Sequence, residues 1–176
     1  LEAYSYGDCG VLLASPGASL SGLVLRELAL PAQIDAFYVK LQSQKMTTFF
    51  ALTEPNKGSD AYHIETHLQK NSDAQYYLSG IKSFFGNGAV ADMGIVLAKI
   101  SNSPVGLRAI WMTPDIIKHH TVSRALLPMF CLRGAKISVM QFQNTPIPYD
   151  NILGHHLSAC HNGLFGIAKV FNRLRP

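Results

Sequence analysis

Charge is what this sequence has least of. Asp, Glu, Lys and Arg make up 15% of its 176 residues, whereas hydrophobic residues make up 48%. Because soluble domains carry about 25% charged residues on average, this chain has fewer ionic groups than usual with which to cover its surface. The composition excludes intrinsic disorder, which combines low hydrophobicity with high net charge. It predicts a folded chain whose apolar surface is in part covered by something outside these residues.

Long hydrophobic runs are absent as well. The best run, Met93 to Ile100, is short and contains a lysine, whereas a membrane span needs about 20 apolar residues. The first ten residues lack the basic start and the apolar stretch of a secretory signal. We therefore expect no membrane span and a cytoplasmic location, or the mitochondrial matrix if the source is eukaryotic.

Cysteines and basic clusters are few. Cys9, Cys131 and Cys160 lie far apart, which argues against a disulfide framework or a paired-cysteine metal site. The net charge is only +4, and the basic residues are scattered rather than gathered into the stripe typical of nucleic-acid-binding proteins. We expect neither a metal nor a nucleic-acid partner.

Helical spacing of apolar residues marks both ends of the chain. Before and after Pro31, a residue that suits the first turn of a helix, apolar residues recur at i, i+3, i+4 and i+7 or close to it. A third stripe follows Gly154. The three stripes are Leu20, Leu23, Val24 and Leu28; Ile34, Phe37, Tyr38 and Leu41; and Leu164, Ile167, Ala168 and Phe171.

The middle of the chain alternates short β-branched and aromatic runs with turn residues, as strands do. About seven strands at this spacing predict an antiparallel barrel or sandwich. We therefore predict an α+β fold, with helical segments at 1–45 and 155–176 flanking a β-domain at 46–154. The predicted strands are Thr47 to Leu52, Tyr62 to Gln69, Gln75 to Leu78, Ile81 to Phe85, Met93 to Ile100, Gly106 to Met112 and Ala135 to Phe142, with a hairpin turn over Lys70 to Asp73.

Two glycine-containing stretches are candidates for a binding site. After the apolar strand ending at Leu52, the loop through Thr53, Ser59 and Asp60 offers hydroxyls and backbone N–H groups to a polar cofactor or phosphate. An ordinary β-turn explains the same residues. The stretch Gly80 to Gly88 holds two adjacent aromatics beside Gly-Asn-Gly, which fits a flat wall or simply a strand ending in an Asn-Gly turn.

A third candidate is a metal site in the run Tyr62 to His67. If this run is a strand, His63, Glu65 and His67 share one face, and two histidines with a carboxylate can bind zinc. A solvated hairpin face is the interpretation that we favour for these residues.

Taken together, the two glycine-containing stretches resemble the acyl-CoA dehydrogenase family. The resemblance is carried by Glu54-Pro with Gly58-Ser-Asp60, by Gly80-x-Lys82, by Gly86-Asn-Gly88 and by Pro146 to Gly154, in that order. Phe171 to Pro176 is similar to the opening of the family's C-terminal helical bundle. The resemblance covers nearly all of the chain and implies a β-domain with the end of one helical domain before it and the start of another after it.

The resemblance implies FAD as the cofactor. The loop from Phe50 to Ser59 would line the flavin, with Leu52 and Thr53 at the ring, and Ser59 would reach the pyrophosphate or the substrate's pantetheine. The family usually has Trp and Thr at the positions of Phe84 and Gly86, so this chain keeps an aromatic wall but loses an indole N–H and a hydroxyl. The implied cofactor-binding residues are Phe50, Leu52, Thr53, Gly58, Ser59, Phe84, Phe85 and Gly86.

The resemblance also implies the reaction, which is α,β-dehydrogenation of an acyl-CoA thioester. Ser59, Asn172 and Arg175 would contact the substrate, and an Arg at that position suits a phosphate or carbonyl oxygen. The resemblance implies that the catalytic glutamate lies beyond Pro176. Glu54 is not a substitute, because it belongs to the flavin loop. The implied partners are an electron-transfer flavoprotein and other copies of the chain, in a homotetramer or homodimer.

Two alternatives remain open at this point. The same chemistry can act on a thioester carried by an acyl-carrier protein. The chain can also be a truncated, non-enzymatic binding or assembly module.

Overall fold

A computed structural model of the chain describes residues 2–15, 17–71, 75–100, 106–120, 123–158 and 164–174. Helices occupy both ends of these ranges, and a seven-stranded sheet lies between them. The α-helices are α1 (Glu2–Ala14), α2 (Ser19–Leu28), α3 (Pro31–Ser43), α4 (Pro114–His120) and α5 (Leu164–Leu174). The strands are β1 (Thr48–Ala51), β2 (His67–Lys70), β3 (Tyr76–Phe85), β4 (Met93–Ile100), β5 (Leu107–Met112), β6 (Ser123–Leu126) and β7 (Ser138–Ile147).

The sheet has the strand order β1-β4-β2-β3-β7-β6, and β5 pairs with β4. The predicted α+β class is confirmed, and the predicted hairpin pairs β2 with β3, Lys70 opposite Tyr76. The sheet is mixed rather than wholly antiparallel, because β1 and β2 both run parallel to β4. The hairpin residues Ser72 and Asp73 lie outside the described residues.

The apolar run of β4 is explained by burial on both faces of the sheet. Val96 and Ala98 belong to one core cluster, with Phe49, Phe85 and other strand residues. Met93, Ile95 and Leu97 belong to a second cluster on the opposite face, which the helices cover. A strand buried on both faces reads as a continuous hydrophobic run rather than as an alternating one.

The helices pack on the second cluster through the predicted stripes. Val24, Leu28, Phe37 and Ile167 are all buried there, and α3 begins at Pro31 as predicted. Ser21 of α2 also fastens the helix to the sheet, because its hydroxyl donates a 2.6 Å hydrogen bond to the Phe49 carbonyl oxygen. The flanking helices and the sheet therefore build one of the two cores jointly.

Some local predictions were wrong. The segment from Tyr62 forms a 3₁₀-turn, Ala61–His63, and β2 begins only at His67. The Asp60 carboxylate holds this turn through a 2.6 Å contact with His63 Nδ1, a local side-chain interaction of the kind that competes with strand pairing. The face proposed for zinc binding by His63, Glu65 and His67 is therefore not formed. Neither α4 nor β6 was predicted, since α4 has seven residues and β6 is exposed along its length.

Within the ranges that the structure describes, no single helix is both long and apolar enough to cross a membrane, although the bent pair Tyr6–Ala14 and Ser19–Leu28 together meets those two criteria. The division of the chain at residues 45 and 154 stays a prediction.

Candidate functional site

An open pocket of about 720 Å³ lies where β1 and β3 end. We call it the strand-end pocket. The loop after β1 and the turn after β3 line it together with residues of α2 and α5. Its lining comprises Leu20, Phe50, Leu52, Thr53, Gly58, Ser59, Ala61, Phe84, Phe85, Gly86, Ala168, Phe171 and Asn172.

The pocket brings together nearly all the residues that the sequence singled out. Phe50, Leu52, Thr53, Gly58 and Ser59 come from one segment of the chain, Phe84 to Gly86 from a second and Asn172 from a third. Arg175 lies outside the described residues. The contacts of these residues with a cofactor or substrate stay predictions.

Two carbonyl oxygens just after β1 accept hydrogen bonds from residues of β3. The Leu52 oxygen accepts a 2.8 Å hydrogen bond from Lys82 Nζ, and the Thr53 oxygen accepts a 2.9 Å bond from the Ser83 amide. Leu52 and Thr53 themselves are half-buried and line the pocket. The backbone of this strand end is thus fixed, while its side chains border open space.

A buried ion pair lies directly behind this strand end. Lys82 Nζ is 2.8 Å from Glu54 Oε1, and the two side chains are 0% and 3% exposed. The Glu54 carboxylate also accepts hydrogen bonds from the backbone amides of Glu65 (2.6 Å) and Thr66 (2.9 Å). The carboxylate of this buried pair thus has three hydrogen-bond donors, and the ammonium group has at least two acceptors, Glu54 and the Leu52 carbonyl oxygen.

Burial and pairing act in opposite directions on these two groups. Burial lowers the pKa of Lys82 to about 8, although the hydrogen bond and the charge of Glu54 partly oppose this. Burial alone would raise the pKa of Glu54, but hydrogen bonds from Lys82, Thr66 and Glu65 outweigh it and hold that pKa below its ordinary value. At neutral pH both groups are therefore charged.

The backbones of Gly80 and Thr66 lie close together, and this contact helps to place the Thr66 amide near Glu54. Gly80 has φ of +144°, and a Cβ on it would lie 2.6 Å from Thr66 Cα. Only glycine combines this backbone conformation with so close a neighbour. Gly80 in the Gly80-x-Lys82 motif thus lets the Thr66 segment reach Glu54.

Phe84 occupies a bulge at the end of β3. Ser83 and Phe85 pair with consecutive residues of β7, so Phe84 is the extra residue. It has φ of +61° and is 59% exposed, whereas Phe85 is buried against Phe49. A bulky residue with positive φ is an outlier, and such strain is concentrated at functional positions. The expected pair of aromatics is therefore split, with Phe84 on the pocket and Phe85 mainly in the core.

Helix α5 supplies a wall that the sequence reasoning missed. The Phe171 ring meets the Phe50 ring at a centroid distance of 5.8 Å and an interplanar angle of 79°, a favourable edge-to-face geometry. Ala168 lies one turn earlier on the same lining, and exposed Asn172 follows at the rim. The apolar stripe of this helix was visible in the sequence, but its position over the end of β1 was not.

Comparison with known proteins agrees with this geometry. The family model for the acyl-CoA dehydrogenase middle domain matches residues 49–145. The short-chain specific acyl-CoA dehydrogenase of Megasphaera elsdenii is 32% identical over 88% of this chain and 40% of that protein. The butyryl-CoA dehydrogenase structure from the same organism superposes with a TM-score of 0.76 and 29% identity, over 92% of this chain and 41% of that one.

A third likeness concerns the fold alone. The glutaryl-CoA dehydrogenase of Mycobacterium smegmatis in complex with FADH2 superposes with a TM-score of 0.78 at 22% identity, over 96% of this chain and 41% of that one. The chain thus spans about two fifths of the length of the proteins that it resembles here. Since the family model covers more than half of its residues, the chain belongs to the acyl-CoA dehydrogenase family.

Proposed function

We propose that the strand-end pocket binds FAD and that the protein takes part in α,β-dehydrogenation of an acyl-CoA thioester. The observation that carries this proposal is the meeting of three separate chain segments, predicted from their motifs, in one pocket. Family membership supports it. Because the chain spans about two fifths of its relatives, the complete reaction is proposed rather than established.

The residues of the pocket suit an isoalloxazine ring, which has apolar faces and a polar edge. Phe50, Leu52 and the exposed Phe84 provide apolar walls, and the hydroxyls of Thr53 and Ser59 lie on the same lining. Among the described pocket residues none is charged, which suits a neutral planar ring rather than an ion. Gly86 offers a backbone N–H where the family usually has a hydroxyl, so we expect a weaker polar contact on that side.

FAD, when bound, supplies the redox chemistry by accepting the hydride that leaves the β-carbon of the thioester. The protein's own contribution is to orient the ring and keep water away from it. Phe50 and Phe171 close one side of the pocket, and Thr53 would donate its hydroxyl hydrogen to the polar edge of the ring. Ser59 would bind the cofactor's pyrophosphate or the substrate's pantetheine.

We propose that Asn172 and Arg175 contact the acyl-CoA substrate. Asn172 lies on the rim of the pocket and is exposed, so its amide is accessible to a carbonyl or phosphate oxygen. Arg175, which follows Asn172 closely in the sequence, would add a charge-assisted bond to the same ligand.

The base that removes the α-proton is expected outside these 176 residues. No carboxylate is among the described residues of the pocket lining. Glu54 and Asp60 each adjoin a lining residue in the sequence. The Glu54 carboxylate is buried and held by Lys82 and two backbone amides, and the Asp60 carboxylate contacts His63 Nδ1 at 2.6 Å. An electron-transfer flavoprotein as redox partner, a homotetramer or homodimer, and a cytoplasmic or mitochondrial-matrix location all stay predictions.

The proposal is tested with the purified protein incubated with FAD and then freed of unbound cofactor. We expect a yellow flavin absorbance to remain with the protein, and Phe84→Ala to lose most of it. Phe130→Ala is the matched control, because Phe130 is 96% exposed and lies outside the pocket. Failure of the unsubstituted protein to retain flavin would contradict the proposal and favour a non-enzymatic module.

The thioester carrier is tested separately. Under anaerobic conditions, acyl-CoA is expected to bleach the flavin absorbance of a longer form of the protein that includes the catalytic base. Bleaching by an acyl-carrier-protein thioester but not by acyl-CoA would assign the alternative carrier instead.

A further inference from the structure

A lysine with no exposed side-chain surface needs a reason, because lysine is almost never fully buried unless it is paired. Lys82 is 0% exposed and pairs with Glu54 at 2.8 Å. Neither residue lines the strand-end pocket. The pair therefore lies behind the site and reaches it through other residues.

The bonds of the pair fasten three chain segments at one point. From β3, Lys82 Nζ donates to the Leu52 carbonyl oxygen as well as to Glu54. From the other side, the amides of Glu65 and Thr66 donate to the Glu54 carboxylate. The end of β1, the start of β2 and the middle of β3 are thus held together by one cation and one anion.

This junction fixes the loop that lines the pocket. Glu54 exchanges two backbone hydrogen bonds with Lys57, 2.9 and 3.2 Å long, which close the turn through Pro55 and Asn56. With Leu52 held on one side and Glu54 on the other, Thr53 between them has little freedom. The backbone that carries the Leu52 and Thr53 side chains is therefore held at the pocket wall.

Stability alone does not account for the pair. Well-packed apolar residues often replace a buried ion pair with no loss of stability, or with a gain. An apolar side chain at position 82, however, leaves the Leu52 carbonyl without its donor. The lysine donates a hydrogen bond to the carbonyl oxygen of Leu52, a residue of the pocket wall, and a hydrophobic residue has no donor for it.

We infer that Lys82 and Glu54 are positioning residues for the flavin site, acting through the Leu52 carbonyl and the Glu54 turn to fix the side chains of Leu52 and Thr53. This inference rests on the proposed function, since it assigns the pair a role toward the cofactor bound in the same pocket. Because neither residue lines the pocket, neither would touch that cofactor.

The test compares Lys82→Met, Glu54→Gln and the double variant with the unsubstituted protein. Lys82→Met leaves a buried carboxylate unpaired and is expected to be unstable, whereas the double variant buries no charge and is expected to fold. For each folded protein the FAD dissociation constant and the visible circular dichroism of the bound flavin are measured. We expect FAD to bind the double variant about tenfold more weakly, with an altered dichroism spectrum.

Two controls separate positioning from a general structural effect. Thr145→Val removes a buried hydroxyl that donates a hydrogen bond to the His120 carbonyl oxygen, outside the strand-end pocket. We expect this variant to have a lower free energy of unfolding and an unchanged flavin spectrum. Glu54→Gln with Lys82→Gln keeps an amide donor at position 82 and is expected to recover part of the affinity. It also serves as the test if the first double variant does not fold.

The outcomes distinguish this inference from the proposed function. If the unsubstituted protein binds FAD and the folded double variants bind it with the same affinity and the same dichroism spectrum, the positioning role is overturned and the proposed function stands. If the unsubstituted protein binds no FAD, the proposed function fails, and the positioning role fails with it.

Discussion

The ring of Phe171 in α5 meets the ring of Phe50 at the end of β1, with centroids 5.8 Å apart and planes at 79°. Both residues line the strand-end pocket. Residues that are 121 positions apart in the sequence therefore form one wall. Helix α5, the last described element, and β1, the first strand, therefore shape the site together.

Phe171→Ala should remove that wall. Because Phe171 is half-buried, we expect a loss of about 2 kcal/mol in the free energy of unfolding, less than the full cost of truncating a buried phenylalanine. We also expect weaker FAD retention. Urea denaturation and flavin absorbance measure the two effects, with Phe130→Ala as the control. If Phe171→Ala retains as much FAD as the unsubstituted protein, Phe171 does not contribute to FAD binding.

Gly80→Ala should disturb the junction behind the pocket. The new Cβ would lie 2.5 Å from the Thr66 hydroxyl oxygen and 2.6 Å from Thr66 Cα, at a backbone φ of +144°. Overpacking and backbone strain together predict a loss of about 3 kcal/mol, measured by urea denaturation. Gly7→Ala is the control, because a Cβ on Gly7 would meet nothing within 4 Å. A Gly80→Ala protein as stable as the control would show that the Thr66 segment can move away.

The fold could be predicted where the sequence pattern is local. The helical stripe containing Val24 and Leu28 and the uninterrupted run of β4 follow directly from burial on one or two faces. The direction of β1 against β4 could not be predicted, because parallel pairing depends on the path of the intervening chain. The exposed strand β6 escaped prediction since its position at the sheet edge leaves no alternation to detect.

The candidate site could be predicted through its motifs but not through its supports. Thr53, Ser59 and Phe84 were identified because they accompany recognisable glycine-containing stretches. Lys82 stood in one of those motifs without a role, since nothing in a strand sequence says that a lysine will pair with a glutamate 28 residues earlier. Phe171 was identified as part of an apolar stripe and of a segment similar to the opening of a helical bundle, but not as a wall of the site. Long-range contacts of this kind require the tertiary arrangement.

The apolar excess noted in the composition has a partial counterpart on the surface. Tyr6 and Phe130 are 94% and 96% exposed, and Val11 and Leu13 are about 60% exposed. Single exposed apolar residues are common in soluble proteins. Here Tyr6, Val11 and Leu13 lie together on α1, which packs near the turn that contains Arg133.

Thr53→Val should alter the polar edge of the flavin site. The substitution keeps the shape of the side chain and removes its hydroxyl, so we expect about tenfold weaker FAD binding or a shifted flavin potential. Thr47→Val is the control, because its hydroxyl makes only a 3.4 Å contact with Asp92 and lies outside the pocket. Unchanged FAD affinity, spectrum and potential in Thr53→Val would count against the assignment of this loop.

The 176-residue chain, loaded with FAD, should not turn over acyl-CoA. The described residues of the pocket lining include no carboxylate, and Glu54 is held in an ion pair. An assay with an artificial electron acceptor measures this directly. Detectable turnover would show that a base lies within these residues, contrary to our expectation.

Lys82 should make the protein more stable as the pH rises above neutral. Loss of the ion pair alone would predict the opposite, a lower free energy of unfolding at high pH. The pKa of Lys82 is about 8 in the folded chain and about 10.4 when unfolded. Between these values the unfolded chain binds more protons, so the contribution of Lys82 to the free energy of unfolding rises with pH, by about 2–3 kcal/mol from about pH 7 to pH 10. The free energy of unfolding rises because a neutral buried amine does not carry the desolvation cost of a buried ammonium group.

Glu54 acts at the other end of the pH range. Its pKa is lowered in the folded chain, so its contribution is complete above the ordinary glutamate pKa of about 4.3 and is lost as the pH falls through the folded-state value. The measurement is urea denaturation, from acid pH to about pH 10, of the unsubstituted protein and of the Glu54→Gln, Lys82→Met double variant. Since both proteins share every other titrating group, the difference between their free energies of unfolding isolates the pair. A difference that does not change between about pH 7 and pH 10 would mean that Lys82 titrates near its ordinary value, and that the amine is better solvated than its complete burial implies.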